Sequence, residues 1–281
     1  MVDIPILMNK LLKNHFNEEI QASRDCNPFR NSPLRYEFFG PSARFMFKYI
    51  FIHYALERDD EIAIITTSDA TYVATCVSIP CFNYAKISRV VTERTRVIIL
   101  IHEYGYVIDN LTKIIEGWRN DGIVVVEDCA HVCGLEINGR TIGSFGDFAL
   151  FSLTKTIPGK HGGLLRTNVE LGKMEFSLDE SDETKAGIKY AEDYLCKQNW
   201  FNTKRNLIAD IFRRECRNLF EPTSQCCPYF LGVRVKNKKD ILTAMSNIEF
   251  GATLDNELLY IPTNPLVDVD DYKNIVQSFR G

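Results

Sequence analysis

Between residues 40 and 170, short β-rich runs alternate with helical patterns, and this alternation constrains the fold more than any other feature of the sequence. Three of the runs contain continuous apolar residues, which is typical of strands buried on both faces of a sheet. They cover residues 61–67, 96–102 and 122–128. Helical apolar spacing appears in residues 42–56 and, starting with the capping residue Asn110, in residues 110–119. The alternation predicts an α/β fold with a mostly parallel sheet and crossover helices.

After Asn168 the character of the sequence changes. An acidic patch at residues 179–183 is expected to be solvated surface, and it leads into a polar, helix-favouring stretch. The C-terminal part then has a strand-like run, a short helix, an apolar run and a final helix, which indicate a small α+β domain. These elements cover residues 229–235, 239–247, 258–262 and 270–280. We therefore predict a large domain in residues 1–220 and a small domain in residues 221–281.

Each of the three buried runs ends in polar residues. In open α/β sheets, ligands bind at the carboxyl ends of the strands. Residues 66–72, 102–104 and 128–131 are therefore the predicted place of the chemistry.

Two ionisable residues near that edge are candidates for the chemistry. Asp128 ends a buried run, where a carboxylate is costly unless it meets a cation such as a protonated pyridine nitrogen. The alternative is an aspartate that caps the strand-to-helix turn. Lys155 follows the strand-like FALFSL and precedes Pro158 and a Gly-Gly pair, which predicts an irregular loop near the sheet edge. There it is either a nucleophile toward an aldehyde or an ordinary solvated lysine.

Two places near the same edge are candidates for holding a phosphate. The amide groups at the start of the helix that begins with Ser42 and Ala43 would face a phosphate dianion with the helix dipole behind them. Ser152 would add its hydroxyl group. The alternative for the sequence Gly-Pro-Ser-Ala is an ordinary helix start.

The segment 127–165 resembles the signature of the DegT/StrS family of sugar aminotransferases, which depend on pyridoxal 5'-phosphate (PLP). In that signature an acidic strand end, a Gly-Ser-Phe-Gly-Asp loop, a lysine and a Gly-Gly pair follow in this order. RVIILIHEYG, TYVATCVSI, the Gly-Pro-Ser-Ala stretch and LLYIPTNPLVDVDDYKNIV are similar to further segments of the family. The resemblance implies a PLP-dependent aspartate-aminotransferase-like large domain with a mostly parallel sheet, plus a small C-terminal α+β domain.

The resemblance also assigns roles to individual residues. Lys155, seven residues before Gly162, matches the family's Schiff-base lysine better than Lys160 does. Asp128 matches the partner of the pyridine nitrogen. His131 is similar to the residue that touches the phenolic oxygen or the ring face of the cofactor.

Further cofactor contacts follow from the same comparison. Tyr72 resembles the aromatic side chain that stacks on the ring. The resemblance places the phosphate at Ser42, Ala43 and Ser152. Asn202 is the counterpart of a family asparagine that contacts the phosphate bound by the partner subunit, although the surrounding sequence matches the family loop only loosely.

The sequence departs from the family at three places. Two residues are missing between Ser152 and Lys155, and Glu103 replaces the usual leucine beside Tyr104. The chain is also shorter than typical members, mainly after Asn168, where the family builds the pocket for the nucleotide sugar.

The resemblance implies a homodimer that transfers an amino group from an amino acid, with glutamate as the expected donor, to a keto sugar that is expected to be nucleotide-linked. Two alternatives stay open. A sugar dehydratase of the same family has histidine in place of the lysine, so Lys155 argues against it. A binding or regulatory protein that kept the fold without turnover is compatible with the shortened chain.

The charge and the cysteine content limit the possible binding partners and the expected cellular location. The net charge of -4 shows no electrostatic footprint for nucleic acid or an anionic membrane. The apolar stretches are too short for a membrane span. The nine cysteines are an odd number, and their spacing fits neither a zinc site nor a small disulfide scaffold. We expect a cytoplasmic protein without a metal.

Overall fold

The computed structural model describes residues 4–6, 14–68, 73–159, 161–171 and 182–279. The helices are α1 (Asn14–Ala22), α2 (Ala43–His53), α3 (Thr75–Phe82), α4 (Leu111–Asn120), α5 (Leu153–Thr156), α6 (Asp182–Leu195), α7 (Gln198–Glu215), α8 (Lys238–Ala244) and α9 (Val269–Gln277). The strands are β1 (Tyr36–Gly40), β2 (Glu61–Thr66), β3 (Lys86–Ser88), β4 (Thr95–Ile101), β5 (Val124–Asp128), β6 (Glu136–Ile137), β7 (Arg140–Thr141), β8 (Phe148–Ser152), β9 (Gly163–Thr167), β10 (Leu219–Phe220), β11 (Phe230–Arg234) and β12 (Leu258–Pro262).

Seven strands form the main sheet in the order β1-β9-β8-β5-β4-β2-β3. The strands β2, β3, β4, β5 and β8 are parallel, whereas β9 runs antiparallel to both of its neighbours, β8 and β1. The three predicted buried runs are β2, β4 and β5, and they lie side by side in the centre. The prediction of an α/β fold with a mostly parallel sheet is confirmed.

The central strands are apolar throughout because both faces of the sheet are covered by helices. Ile98 and Leu100 of β4 pack on one face into a core that α4 and α6 complete. Val97 and Ile99 of the same strand point the other way, into a core that includes α2 and α3. Successive side chains of one strand therefore belong to two different cores.

A second, antiparallel sheet has the order β10-β11-β12. It shares an apolar core with α7 and α9, and this core includes Phe212, Leu231, Ile261 and Tyr272. The C-terminal strands and helices predicted from the sequence are found here as β11, α8, β12 and α9. Because α7 contributes to the core of the second sheet, part of the chain before residue 220 packs with the C-terminal elements. The domain boundary after residue 220 stays a prediction.

Two local predictions differ from the structure. Asn110 precedes α4, but its backbone is left-handed (φ 57°) and its side chain makes no capping hydrogen bond. Lys155 lies in α5, a single helical turn, and not on an irregular loop. The turn forms because the Ile157 amide donates to the Leu153 carbonyl (3.0 Å) and the Leu153 amide donates to the Gly162 carbonyl (3.1 Å).

The reversed direction of β9 brings its first residue to the edge where the parallel strands end. Gly163 pairs with Gly40 at the end of β1 and with Ser152 at the end of β8. A Cβ atom at Gly163 would lie 2.2 Å from the Ala43 amide nitrogen, so a residue with a side chain does not fit against the start of α2. The predicted phosphate candidates are thus gathered at one edge of the sheet.

Within the described ranges, no helix is long and apolar enough to cross a membrane. All nine cysteines lie in those ranges, and each is a free thiol. The cytoplasmic location expected from the sequence stays a prediction.

Candidate active site

A cavity of about 250 Å³ opens at the carboxyl ends of β2, β4 and β5. The three strand ends predicted from the sequence all contribute to its wall, as do the start of α3 and the segment before β11. The residues used below that line it are Thr66, Glu103, Tyr104, Asp128, His131, Lys155 and Tyr229. A larger cavity, of about 600 Å³, lies between α8 and α9 and contains none of the predicted site residues. The cavity at the sheet edge is therefore the candidate active site.

The amine of Lys155 contacts the imidazole of His131 inside this cavity. Lys155 Nζ lies 3.0 Å from His131 Nε2, and the Tyr104 amide donates to His131 Nδ1 at 3.3 Å. Burial lowers the pKa of His131 well below its ordinary value, with the positive charges of Lys155 and Arg205 as further causes, so the ring is neutral. A neutral imidazole has one acceptor nitrogen, and here Nδ1 accepts from Tyr104. Lys155 Nζ lies against the other ring nitrogen, Nε2.

Two tyrosine rings fix the orientation of His131. The Tyr229 ring stacks on the imidazole at a centroid distance of 5.0 Å and an interplanar angle of 15°, and the Tyr104 ring lies at 5.6 Å and 28°. Tyr104 has a left-handed backbone (φ 55°), and its hydroxyl group donates to the Ala252 carbonyl at 2.5 Å. With tyrosine rings stacked on it, His131 meets Lys155 through its edge.

Asp128 is the second ionisable group at the end of a central strand. Its carboxyl group accepts a hydrogen bond from the Ala130 amide at 3.0 Å. Burial raises its pKa, and the positive charge of Lys155 acts in the opposite direction. A buried carboxyl group in this environment favours a cationic partner, because a cation lowers the cost of ionising it. The amide contact also means that the capping role left open by the sequence is present.

A buried contact between His102 and Glu127 supports the end of β5. His102 Nε2 lies 3.0 Å from Glu127 Oε2, and both side chains are fully buried. The same carboxylate accepts hydrogen bonds from the amides of Gly143 (3.0 Å), Phe145 (2.7 Å) and Gly146 (2.7 Å). Although Cys129 Sγ lies near these groups, the oxygens of Glu127 are already occupied by donors, so the cluster serves as a structural anchor for the loop before β8.

The phosphate candidates lie near the junction of β8, β9 and α2. Ser42 occupies the N-cap position of α2, and its side chain makes no capping hydrogen bond. The Gly162 amide donates to the Pro41 carbonyl at 3.0 Å, which ties this turn to the start of β9. Ser152 Oγ lies 3.3 Å from Thr154 Oγ1 at the start of α5. The structure thus places Ser42, Ala43 and Ser152 near one another.

Two residues named from the sequence are not described by the structure, and a third lies away from the cavity. Tyr72 and the competing lysine, Lys160, are outside the described residues. Asn202 is in α7, where its Nδ2 donates to the Cys133 carbonyl (2.8 Å) and its Oδ1 accepts from Gln198 (2.9 Å). It is not in the wall of the cavity, and its predicted contact with a partner subunit stays a prediction.

Glu103 and Tyr229 are wall residues to which the sequence interpretation gave no role. Glu103 accepts a hydrogen bond from Ser68, and burial raises the pKa of its carboxyl group. Its position at the end of β4 was the available signal, since strand ends are where ligands bind. Tyr229 enters from the C-terminal part of the chain, and no local pattern connects it to the sheet edge.

Residues 61–180 match the model of the DegT/DnrJ/EryC1/StrS aminotransferase family. The GDP-perosamine synthase of Escherichia coli O157:H7 is 36% identical over 88 residues, which cover 31% of this chain and 24% of the relative. The GDP-perosamine synthase of Vibrio cholerae is 27% identical over 174 residues, which cover 56% of this chain and 46% of the relative. The match therefore spans less than half the length of either relative.

Among solved structures, DesV of S. venezuelae is similar with a TM-score of 0.75 and 15% identity, over 100% of this chain and 98% of that chain. At this identity the likeness concerns the fold. The predicted fold class and the predicted resemblance to the DegT/StrS family are both confirmed.

Proposed function

We propose that the protein is a PLP-dependent sugar aminotransferase, because residues 61–180 match the model of the DegT/DnrJ/EryC1/StrS aminotransferase family. The observation that carries the proposal is the wall of one cavity, which presents the amine of Lys155, the carboxyl group of Asp128 and the imidazole of His131 together. This combination of groups suits proton transfer at a carbon bonded to nitrogen.

The residues at the sheet edge fit PLP. Asp128 is a buried carboxyl group that favours a cationic partner, and a protonated pyridine nitrogen is such a partner. Lys155 supplies the primary amine that bonds to an aldehyde. The amides at the start of α2, held against Gly163, offer a helix N-terminus for the phosphate, with Ser42 and Ser152 beside it.

Bound PLP supplies an electron-withdrawing ring that stabilises negative charge on the substrate carbon. The side chains of the protein would hold and move the protons. Asp128 would hold the proton on the ring nitrogen, and Lys155 would act as general base and general acid, removing a proton from the substrate carbon and returning it to another position. His131 orients Lys155 Nζ through the contact of 3.0 Å.

The proposed substrates are an amino acid donor, with glutamate as the first choice, and a keto sugar linked to a nucleotide. Two curated relatives, named for synthesis of a GDP-linked amino sugar, support the sugar class. The polar groups of Glu103 and Thr66 in the cavity wall are suited to hydroxyl groups of a sugar. We test the donor by following the loss of the PLP absorbance band with glutamate, before any sugar is added.

We also propose a homodimer. Ile52 of α2 and Ile79 and Phe82 of α3 are between 55% and 64% exposed, although α2 and α3 pack together on one face of the sheet. Large exposed apolar side chains on neighbouring helices support a protein interface. Light scattering of the purified protein measures the oligomeric state, and a monomeric mass at micromolar concentration would contradict this part of the proposal.

Absorbance and mass spectrometry test the cofactor role. The protein is incubated with PLP, treated with borohydride and digested, and we expect the reduced PLP adduct on the peptide that contains Lys155. Lys155→Ala should abolish the adduct. Lys160→Ala is the matched control, because Lys160 is the competing lysine in the same segment, and it should leave the adduct intact.

The same experiment separates the alternatives. A protein that kept the fold without the cofactor chemistry would form no adduct at Lys155. A protein that forms the adduct but leaves every keto nucleotide sugar unchanged with an amino acid donor would be a non-catalytic or regulatory family member. The dehydratase alternative is disfavoured by Lys155 itself, because the dehydratases of the family have histidine at that place.

A further inference from the structure

Arg205 of α7 is a buried cation next to the active-site lysine. Only 2% of its surface is exposed. Its Nη2 donates a hydrogen bond to the main-chain carbonyl of Lys155 at 3.1 Å. Its guanidinium group also lies over the ring of Tyr229, at 5.1 Å from the centroid. Burying a guanidinium group costs free energy, and contacts of this kind are needed to offset it.

The contact between Arg205 and the Tyr229 ring also connects Arg205 to Lys155. The Tyr229 ring stacks on His131 at 5.0 Å, and His131 Nε2 lies 3.0 Å from Lys155 Nζ. Arg205 therefore holds Lys155 at two points. It binds the main chain directly, and it supports the amine through the rings of Tyr229 and His131.

Lys155 needs such support because α5 is short. The helix has four residues, and one turn of helix is unstable on its own. Its last carbonyl groups have no partner within the helix, and the Lys155 carbonyl is one of them. Arg205 supplies the missing donor and places a positive charge at the carboxyl end of the turn, where it is favourable.

We propose that Arg205 is a positioning residue that fixes the direction in which Lys155 enters the cavity. It acts through the Lys155 main chain and through Tyr229, without a role as proton donor or acceptor. The proposal deepens the proposed function, on which it rests for the chemical role of the lysine. It also links the C-terminal sheet to the catalytic group, because Tyr229 precedes β11.

The test compares Arg205→Met, Arg205→Lys and a control on the same helix. The control, Arg213→Met, removes an exposed arginine that pairs with Glu221 and Asp210 and does not line the cavity. We measure the rate at which the PLP absorbance band forms and the yield of the borohydride-reduced adduct on the Lys155 peptide.

Arg205→Met should slow adduct formation about tenfold, the effect expected for the loss of one hydrogen bond to a charged group. Arg205→Lys should recover part of the rate, because an ammonium group keeps the charge near the Lys155 carbonyl. Arg213→Met should react at the rate of the unchanged protein. Wild-type rates for Arg205→Met, or equal slowing by Arg205→Met and Arg213→Met, would overturn the proposal.

Two further measurements keep the result interpretable. If Arg205→Met does not fold, as judged by circular dichroism, Tyr229→Leu tests the ring contact alone. This variant keeps Arg205 and should slow adduct formation. If the unchanged protein forms no adduct at Lys155, the proposed function fails. Acetylation of Lys155 by acetic anhydride, quantified on its peptide without PLP, then tests the positioning role separately. An acetylation rate that is identical with and without Arg205 would refute it.

Discussion

Lys155 Nζ and His131 Nε2 lie 3.0 Å apart, and His131 Nδ1 faces the Tyr104 amide. The imidazole is thus engaged on both nitrogens, by a main-chain donor on one side and the candidate catalytic amine on the other. Burial keeps the ring neutral, because it lowers the pKa of His131 well below its ordinary value. The burial of His131 and its contacts lead to the first prediction.

We expect the protein to lose stability in mild acid because of His131. Its pKa is lowered in the folded state, so the unfolded chain binds a proton near pH 6.5 that the folded chain does not bind. The stabilisation is present above that pH and is lost as the pH falls below it, by at most about 1.4 kcal/mol per pH unit. Urea unfolding between pH 7 and pH 5 measures the slope. His131→Gln should have a shallower slope, and parallel curves would contradict the prediction.

Asp128→Asn should lower the affinity for PLP, and it should keep or raise the stability of the protein without PLP. The amide cannot supply the charge for a protonated ring nitrogen, so the affinity for PLP should fall about tenfold or more. The raised pKa of Asp128 means that its stabilising contribution is present at acidic pH and is lost as the pH rises through the folded-state value. At pH 7.5 the variant without PLP should therefore unfold at an equal or higher temperature.

Calorimetry with and without PLP checks both parts of the Asp128 prediction. The control is Asp109→Asn, which alters an exposed aspartate before α4. Its PLP affinity and its unfolding temperature are compared with those of Asp128→Asn. A variant that binds PLP like the unchanged protein, or one that is destabilised without PLP, would show that Asp128 has a structural role only.

Glu127→Ala should destabilise the fold strongly. The substitution leaves the amides of Gly143, Phe145 and Gly146 and the ring of His102 without their acceptor in a fully buried place. The expected loss is about 3–5 kcal/mol, as for breaking a buried pair from one side. Urea unfolding at pH 7.5 measures it. Glu116→Ala on the exposed side of α4 is the control and should change the free energy of unfolding by less than about 0.5 kcal/mol.

Gly163→Ala should disturb the phosphate candidates. The new Cβ would lie 2.2 Å from the Ala43 amide nitrogen and from the Ser42 carbonyl carbon, both main-chain atoms, so β9 and the start of α2 must move apart. We expect an increase of about tenfold or more in the Kd for inorganic phosphate and for PLP, as for the loss of a hydrogen bond to a charged group. Gly117→Ala in α4 meets no atom within 4 Å and is the control, with a gain of up to about 1 kcal/mol in stability. Equal phosphate affinity in both variants would show that the start of α2 does not bind the phosphate.

The central strands could be predicted from the sequence because their burial is a local property. A strand covered on both faces needs apolar residues in succession, and β4 and β5 have them. The places of Asp128 and Lys155 followed for a similar reason, since one ends such a strand and the other stands in a short motif with Gly162. The predicted loop at Lys155 was wrong, because a one-turn helix leaves no periodic pattern.

The tertiary structure alone decided what surrounds these residues. Arg205 and Tyr229 reach Lys155 and His131 from distant parts of the chain, through contacts that no periodicity encodes. The sequence by itself determined which residues are the candidates for the chemistry, because the motif that contains them is a property of a short segment. The neutral state of His131 and the direction of Lys155 depended on packing between segments, because burial and hydrogen-bond partners exist only after the chain has folded.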